Sequence, residues 1–253
     1  MERLKNKVAI VTGGGKGIGL GVATAYAKEG ADLVITGRTL STLQNTGERL
    51  SKEYGVNVLP IVADGSEEEE VIKAIEQTID KYHKIDVLVN NAQVAVSGVP
   101  FVKQSTSDFC LAVNTGLFAT FNYMKYAFPY LKESKGKVIN FASGAGISGN
   151  PGQGSYAAAK EGIRGLSRVA ATEWGEFGIN VNVVCPLAMT PGLAKWKEEY
   201  PEAYDRNIKG IPLGRFGDPT DDIGKVCLFL ATDDSSYVTG ETISVQGGSG
   251  LRA

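Results

Sequence analysis

Short apolar runs alternate with longer amphipathic stretches along the whole chain. The earlier runs are continuously apolar and rich in valine and isoleucine, which is typical of strands in a sheet covered on both faces. The pattern predicts strands at Val8–Thr12, Leu33–Thr36, Val56–Val62, Val87–Asn90, Val138–Phe141, Val181–Val184 and Thr242–Val245. The amphipathic stretches between them predict helices over residues 18–29, 40–54, 67–82, 106–131, 155–176 and 219–231.

The alternation of strands and helices predicts the fold class. Parallel strands joined by helices need right-handed crossovers, which place helices on both faces of one sheet. An α/β chain of 253 residues is commonly a single unit, and this one has no internal repeats or low-complexity linkers. We therefore expect one α/β domain over residues 1–253, with a doubly wound parallel sheet of seven strands.

The helix predicted over 67–82 has a recognisable start. Ser66 precedes the acidic run Glu67–Glu70, so its hydroxyl can cap the helix while Glu69 completes a capping box. The carboxylates then meet the positive end of the helix dipole. We interpret the acidic run as a helix start and not as a metal site.

One long segment, residues 187–217, shows neither strand nor helix periodicity over its whole length. Irregular segments this long inside a compact domain are usually functional and often cover an active site. The segment contains Leu193, Trp196, Tyr200 and Tyr204, which would suit a large apolar substrate. We expect a lid built of short helices.

Composition and charge exclude several classes of partner. The net charge is −2 and the sequence pI is about 5.6, so no basic excess favours nucleic acid or anionic lipid. The apolar run Val8–Val11 ends too soon for a signal peptide or a membrane span. We expect a cytoplasmic protein that binds neither nucleic acid nor membranes.

The cysteines and the histidine restrict the chemistry further. Cys110, Cys185 and Cys227 are widely spaced in apolar contexts, so we expect small buried hydrophobic residues instead of a disulfide framework or a metal site. His83 is the one histidine, in a polar connection where we expect it to face solvent. A hydrolytic Ser-His-Asp site or a multi-histidine zinc site is therefore disfavoured.

Directly after the first predicted strand, Thr12–Gly19 reads Thr-Gly-Gly-Gly-Lys-Gly-Ile-Gly and opens a helix. Glycines let the backbone turn tightly and approach a pyrophosphate, whose charge then lies at the helix N-terminus. In this position, between a strand and a helix, the motif predicts a dinucleotide site.

Tyr156 and Lys160 are four residues apart at the start of a predicted helix, so their side chains emerge on one face. An unperturbed tyrosine has a pKa near ~10, and a nearby ammonium group together with an oxidised nicotinamide favours the phenolate. Tyr156 is therefore a plausible acid in ketone reduction and base in alcohol oxidation. Ser143, thirteen residues upstream, follows the fifth predicted strand.

The chain resembles the short-chain dehydrogenase/reductase family over essentially its whole length. The resemblance is carried by the spacing of Gly13, Gly17 and Gly19 and by Asn90-Asn91-Ala92, Asn114, Ser143 and Tyr156-Ala157-Ala158-Ala159-Lys160. The resemblance implies a Rossmann-type fold and hydride transfer between a nicotinamide and a secondary alcohol or ketone. It implies that Ser143 bonds the carbonyl oxygen, Lys160 holds the nicotinamide ribose, and Asn114 supports a water relay to Lys160.

The same resemblance implies further contacts to the cofactor. Asn90 would stabilise the sheet end beside it, Asp64 would meet the adenine, and Thr190 would contact the nicotinamide side. The full set of implied cofactor-binding residues is Gly13, Gly15, Lys16, Gly17, Ile18, Gly19, Arg38, Asp64, Gly65, Asn91, Ala92, Tyr156, Lys160, Pro186, Leu187 and Thr190. Gln93 and Leu187 depart from the family, which usually has glycine at both positions, so side chains replace bare backbone near the cofactor.

Within the family, Asn90–Gln93, Phe141–Gly146, Ser155–Arg164 and Cys185–Thr190 are similar to bacterial 12α-hydroxysteroid dehydrogenases. The resemblance therefore implies a bile-acid 12α-hydroxyl or 12-oxo substrate. Sugars, small ketones and, less favourably, 3-oxoacyl-carrier-protein substrates remain alternatives, as does a dinucleotide-binding sensor with no reaction. The family also implies a homotetramer with the helices near 106–131 and 155–176 as interfaces.

Residues after the second strand indicate which nicotinamide cofactor is used. Gly37 and Arg38 stand where an NAD enzyme of this kind typically presents an acidic residue to the adenine ribose. A guanidinium can grip a 2′-phosphate through two parallel charge-assisted bonds, and Lys16 adds a second cation on the same side. The sequence therefore predicts NADP(H), with no metal.

Overall fold

The computed structural model of the protein describes residues 2–250, and its centre is one seven-stranded parallel sheet. The strands are β1 (Val8–Thr12), β2 (Asp32–Gly37), β3 (Val58–Val62), β4 (Val87–Asn90), β5 (Lys137–Phe141), β6 (Asn180–Pro186) and β7 (Thr242–Val245). Their order across the sheet is β3-β2-β1-β4-β5-β6-β7. The predicted doubly wound sheet is confirmed, and β1, β4 and β7 have the predicted bounds.

Helices connect the strands and continue beyond β6. They are α1 (Gly17–Lys28), α2 (Leu40–Tyr54), α3 (Glu68–Tyr82), α4 (Thr106–Ala112), α5 (Ala119–Ser134), α6 (Gly144–Ser148), α7 (Gly154–Trp174), α8 (Pro191–Glu199), α9 (Pro201–Lys209) and α10 (Lys225–Ala231). The helix predicted over 106–131 contains a π turn, Val113–Phe118, between α4 and α5. A second π turn, Pro219–Gly224, precedes α10, and the short helix α6 was not predicted.

Two apolar cores cover the two faces of the sheet. On one face α1, α2 and α10 contribute fully buried side chains such as Val22, Leu50 and Leu228. On the other face α3, α5 and α7 contribute residues such as Val71 and Leu131. Strand β1 is buried along its whole length, which explains its continuously apolar sequence.

The winding direction of the chain reverses between β1 and β4, which are neighbours in the sheet. From β1 the chain proceeds outward to β2 and β3, and from β4 it proceeds outward to β5, β6 and β7. The loops that leave β1 and β4 therefore separate at the carboxyl edge and open a crevice there. Ligands of open α/β sheets bind in such a crevice.

The start of α3 differs from the predicted capping box. The N-cap is Glu67, without a side-chain cap, and the Ser66 hydroxyl instead donates to Asp64 Oδ1 over 2.7 Å. Glu70 Oε2 accepts from the Asp64 amide at 2.8 Å. The capping box does not form because α3 begins one residue later than predicted, so that Ser66 lies before the N-cap, while the acidic residues do occupy the first turn as predicted.

The predicted burial of the cysteines is correct for Cys185 and Cys227 and wrong for Cys110, which is exposed on α4. The outer face of α4 is open in the single chain, so an apolar sequence context does not bury Cys110. His83 ends α3 in the left-handed conformation with φ 62° and faces solvent, as predicted. Among residues 2–250, no helix is long and apolar enough to cross a membrane.

The segment predicted as a lid, 187–217, contains the short helices α8 and α9. Its two ends meet, since the Leu187 amide bonds Val245 O at 2.9 Å while Gly217 N donates to Leu187 O at 3.0 Å. Trp196 lies 6.4 Å from both Tyr200 and Tyr204, measured between ring centroids. The aromatic residues of the segment therefore contact one another.

Candidate active site

The glycine-rich turn after β1 forms the floor of the crevice. Gly13 and Gly17 have φ values of +67° and +56°, in the left-handed region that favours glycine. A Cβ at Gly19 would lie 2.3 Å from the carbonyl oxygen of Gly13, so the turn closes only over a bare α-carbon. Asn91 Nδ2 donates to Thr12 O at 2.9 Å and ties the turn to the end of β4. The N-terminus of α1 is thereby left facing the crevice.

We call the crevice between these turns the switch-point cleft; it has a volume of about 520 Å³. Most of the predicted cofactor residues line it. These are Gly13, Gly15, Lys16, Gly17, Ile18, Arg38, Asp64, Gly65, Asn91, Ala92 and Thr190. Gln93, which the sequence predicts to lie near the cofactor, also lines the cleft. Sequence reasoning missed several other lining residues that follow a strand end or face it from a helix, namely Thr39, Thr42, Val94, Thr115, Thr120 and Tyr123.

The remaining predicted residues lie outside the lining of the switch-point cleft. Gly19 is buried beneath the turn. Ser143 and Lys160 adjoin the end of β5, and Pro186 ends β6, so they belong to the same carboxyl edge further along the sheet. Leu187 forms backbone hydrogen bonds to Val245 and Gly217 and so continues β6 beyond its end.

Three of the four predicted catalytic side chains, those of Ser143, Tyr156 and Lys160, come together at the end of β5. Ser143 is the N-cap of α6, and its hydroxyl accepts from the Ala145 amide at 3.2 Å. Tyr156 is the third residue of α7 and Lys160 lies one turn later. Lys160 Nζ donates to Phe141 O at 2.7 Å and lies 5.6 Å from the centre of the Tyr156 ring.

Burial determines the protonation of this group. Burial raises the pKa of the Tyr156 phenol, and hydrogen bonding by Ser143 offsets part of the rise. Burial also lowers the pKa of the Lys160 ammonium to about 8. In the protein alone the phenol is therefore protonated at neutral pH, the form that donates a proton to a reduced carbonyl. The sequence predicts a lowered phenol pKa from two positive charges, the Lys160 ammonium and an oxidised nicotinamide. The lysine alone does not lower it, so the lowered pKa requires the charge of the nicotinamide as well.

The lowered pKa of Lys160 has a measurable effect on stability. Between pH 8 and 10.5 the unfolded chain holds a proton on this lysine that the folded chain has released, so the stability cost of burying Lys160 falls as pH rises. We expect the stability difference between Lys160→Met and the parent to change by about 2 kcal/mol from pH 7 to 9.5, in favour of the parent. Urea unfolding at both pH values measures the difference in unfolding free energy between the two proteins. A difference that is the same at pH 7 and 9.5 would contradict the lowered pKa of Lys160.

The π turn Val113–Phe118 carries Asn114 and packs against α7, and the predicted relay from Asn114 to Lys160 stays a prediction. Asn114 is exposed, whereas the next residue, Thr115, lines the switch-point cleft. Thr115 Oγ1 accepts from Val94 N at 3.1 Å, with Val94 O 2.9 Å and Leu111 O 2.7 Å away. The extra residue of a π turn rotates the positions that follow it, which regular helical spacing does not reveal.

Two cations border the outer part of the switch-point cleft. Lys16 and Arg38 are both exposed. The guanidinium Nη1 of Arg38 lies 3.9 Å from Asp64 Oδ2, at the outer limit of an ion pair, so it has donors left for another anion. The hydroxyl-bearing residues Thr39 and Thr42 line the cleft on the same side.

The residues of the switch-point cleft fit a dinucleotide. Two buried side-chain oxygens, Asn90 Oδ1 and Gln93 Oε1, lack a hydrogen-bond partner within residues 2–250, and both residues line the cleft. Buried acceptors without a partner are costly, and a ligand bearing hydroxyl or amide donors would satisfy them. Gln93 is held in place because its Nε2 donates to Ala112 O at 3.2 Å and its amide fills the space above Gly116.

Comparison with known proteins agrees with this geometry. Residues 13–250 match the family model described as enoyl-(acyl carrier protein) reductase. The chain is 56% identical to a 12α-hydroxysteroid dehydrogenase of Clostridium sp. over 97% of both chains. It is 37% identical to a 3-oxoacyl-[acyl-carrier-protein] reductase of Chlamydia trachomatis, over 97% of this chain and 98% of that one. Levodione reductase superposes with a TM-score of 0.92 at 31% identity, over 97% of this chain and 98% of that one.

Proposed function

The chain belongs to the short-chain dehydrogenase/reductase family, and on that basis we propose that it is an NADP(H)-dependent oxidoreductase of hydroxysteroids, interconverting a 12α-hydroxyl and a 12-oxo group. The observation that carries the proposal is the convergence of Ser143, Tyr156 and Lys160 at the end of β5, beside a glycine-floored cleft. Such a convergence supplies both a proton donor and a place for a hydride donor.

In the proposed mechanism the switch-point cleft would hold a reduced nicotinamide, which would supply hydride to the carbonyl carbon, and the protein's own residues supply the proton. Ser143 donates a hydrogen bond that orients the carbonyl oxygen. Tyr156 transfers its phenolic proton to that oxygen, which becomes the hydroxyl of the alcohol. The Lys160 ammonium stabilises the phenolate left behind. In oxidation the Tyr156 phenolate takes the proton from the hydroxyl, and a bound oxidised nicotinamide would accept the hydride.

The preference for NADP(H) rests on Arg38 and Lys16. The end of β2 carries no carboxylate at Gly37 or at the following residue, Arg38, and Asp64 is only loosely paired with Arg38. A 2′-phosphate would meet two cations instead of an acid there. Guanidinium groups bind phosphate through paired, charge-assisted hydrogen bonds that a free 2′-hydroxyl cannot match.

The steroid assignment rests on the 56% identical relative and on the 187–217 segment. A second cavity, of about 580 Å³, lies between α8 and α9 and is lined by residues that include Met189, Ala194 and Tyr204. We propose that the segment is a lid that closes over an apolar skeleton. Burying a rigid apolar steroid offsets the entropy lost on ordering such a lid better than burying a small polar sugar would, because more apolar surface leaves water.

The experiment that tests the function is a screen of NADPH oxidation. The panel contains 12-oxo, 7-oxo and 3-oxo bile acids, simple ketones, sugars, and an acetoacetyl thioester that represents the 37% identical reductases. We expect turnover of the 12-oxo compound with a kcat/KM at least about tenfold above the others, since misplacing the carbonyl carbon by one ring position breaks the alignment with the donor. Turnover of a sugar or thioester with none of a 12-oxo steroid would reject the steroid assignment.

We further propose that the enzyme is a cytoplasmic homotetramer. Phe109, Phe118 and Phe121 of the α4–α5 region and Val169 of α7 are exposed in the single chain, on the two helices that family members use as interfaces. Covering these large apolar side chains would favour association. Cys110, Cys185 and Cys227 form no disulfide among residues 2–250, which fits a reducing compartment.

A further inference from the structure

The helix that carries Tyr156 begins without a cap of its own. The N-cap residue of α7 is Gln153, and its side chain forms no capping hydrogen bond. The first amides of a helix lack partners within the helix. Tyr156 lies in this first turn, so fraying there would displace the phenol that the proposed function uses as its acid.

Gln104, fifty-one positions before Ser155 in sequence, supplies the missing cap. Its Oε1 accepts from the Ser155 amide at 2.9 Å, and its Nε2 donates to Ser155 Oγ at 2.7 Å. Ser155 is fully buried, so no water competes for these bonds. The carboxamide thereby holds both the backbone and the side chain of the residue that precedes Tyr156.

The neighbourhood of Gln104 supports this arrangement. A Cβ at Gly154 would lie 2.9 Å from Gln104 Oε1 and 3.3 Å from the Phe101 ring, so the close approach depends on glycine. The Gly98 amide donates to Gly152 O at 2.9 Å, which fastens the same two loops at a second point. Ser105, next to Gln104, caps α4 by accepting from Asp108 N at 3.1 Å.

We propose that Gln104 is a positioning residue that caps the first turn of α7 from outside the helix and so fixes Tyr156 against Ser143. The proposal rests on the proposed function in assigning the proton transfer to Tyr156. It goes beyond that function because Gln104 lies outside the glycine turn, the serine-tyrosine-lysine group and the lid. Gln104 itself touches neither substrate nor cofactor in this proposal.

The test compares Gln104→Ala, Gln104→Glu and the control Gln153→Ala. Gln153 has the same side chain on the same pair of loops, but its Oε1 accepts only from Ser97 Oγ, at 3.1 Å. For each variant we would measure kcat, the KM of NADPH, the pH profile of alcohol oxidation, and hydrogen exchange of a peptide over residues 153–160. The last readout needs no substrate.

For Gln104→Ala we expect about five- to tenfold faster exchange in the 153–160 peptide and a kcat lower by about ten- to a hundredfold, with the KM of NADPH unchanged. Gln104→Glu keeps both bonds, because its carboxylate accepts from the Ser155 amide and hydroxyl. It should restore slow exchange while its charge raises the pKa of Tyr156 and moves the oxidation profile to higher pH. Gln153→Ala should leave kcat and the pH profile unchanged.

Two results would overturn the positioning role. One is unchanged exchange in Gln104→Ala, and the other is a loss of kcat no greater than that of Gln153→Ala. A parent enzyme inactive on every carbonyl compound would instead reject the proposed function. In that case the exchange data alone would show whether Gln104 caps α7.

Discussion

Replacing Tyr156 with phenylalanine should lower kcat for ketone reduction by about 10²–10⁴-fold, which corresponds to about 3–5 kcal/mol of transition-state stabilisation. The substitution removes the proton that the carbonyl oxygen must receive and leaves the ring in place. Tyr156 lies outside the lining of the switch-point cleft, so affinity for NADPH should change less than about threefold. Steady-state kinetics and a fluorescence titration with NADPH separate the two effects.

The matched control for this substitution is Tyr237→Phe. Tyr237 is fully exposed beyond α10, so loss of its hydroxyl should change neither turnover nor binding. Lys160→Met, by contrast, should lower kcat, because the ammonium that stabilises the phenolate is lost, and should weaken cofactor binding, because the contact to the nicotinamide ribose that the family resemblance implies is lost too. A Tyr156→Phe protein that reduces its ketone at a rate near the parent's would remove Tyr156 from the mechanism.

The second large effect is expected at Arg38. Arg38→Asp replaces a guanidinium that can pair with a 2′-phosphate by a carboxylate that repels it and accepts from a free 2′-hydroxyl. A charged hydrogen bond contributes about 1.5–3 kcal/mol, so kcat/KM for NADPH should fall by about ten- to a hundredfold while the value for NADH changes little or rises. The measurement is kcat/KM for both cofactors in parent and variant.

Arg49→Asp is the control for net charge. Arg49 lies on α2 and is ion-paired with Glu53 at 3.1 Å, away from the cleft lining, so it carries the same charge change without the contact. Arg49→Asp should change kcat/KM for NADPH only slightly, and this change should vanish at high salt. Equal or better use of NADH by the parent would overturn the NADP(H) assignment.

The sequence was a good guide wherever one residue type is required by backbone geometry or by burial. Continuous apolar runs located β1 and β4 to the residue, because each strand is buried along its length and only its last residue, Thr12 or Asn90, is polar. Glycines located the turn after β1, because Gly13 adopts a positive φ and Gly19 has no room for a Cβ. These requirements are local and therefore readable from a short window.

The sequence was a poor guide where the outcome depends on distant partners or on one extra residue. Apolar spacing over 106–131 continues through the π turn, so nothing in it reveals that Thr115 and not Asn114 faces the cleft. Gln104 is an ordinary polar residue until the fold brings Ser155 to it, and the hydrogen bond from Gln93 to Ala112 also depends on the fold. Ser66 is not a cap because α3 begins one residue later than predicted, and its hydroxyl donates to Asp64 instead.

The 187–217 segment is a loop whose two ends are hydrogen-bonded to each other at the end of β6. The chain leaves β6 at Leu187 and returns to the same point at Gly217, where Ala188 and Gly217 form a parallel bridge. Closing such a loop costs little more when it is longer, since the entropy of closure grows only with the logarithm of its length. The loop between these two anchors can therefore be lengthened, shortened or replaced with little effect on the stability of the sheet. The same catalytic residues can thus be combined with lids of different shape during evolution or design.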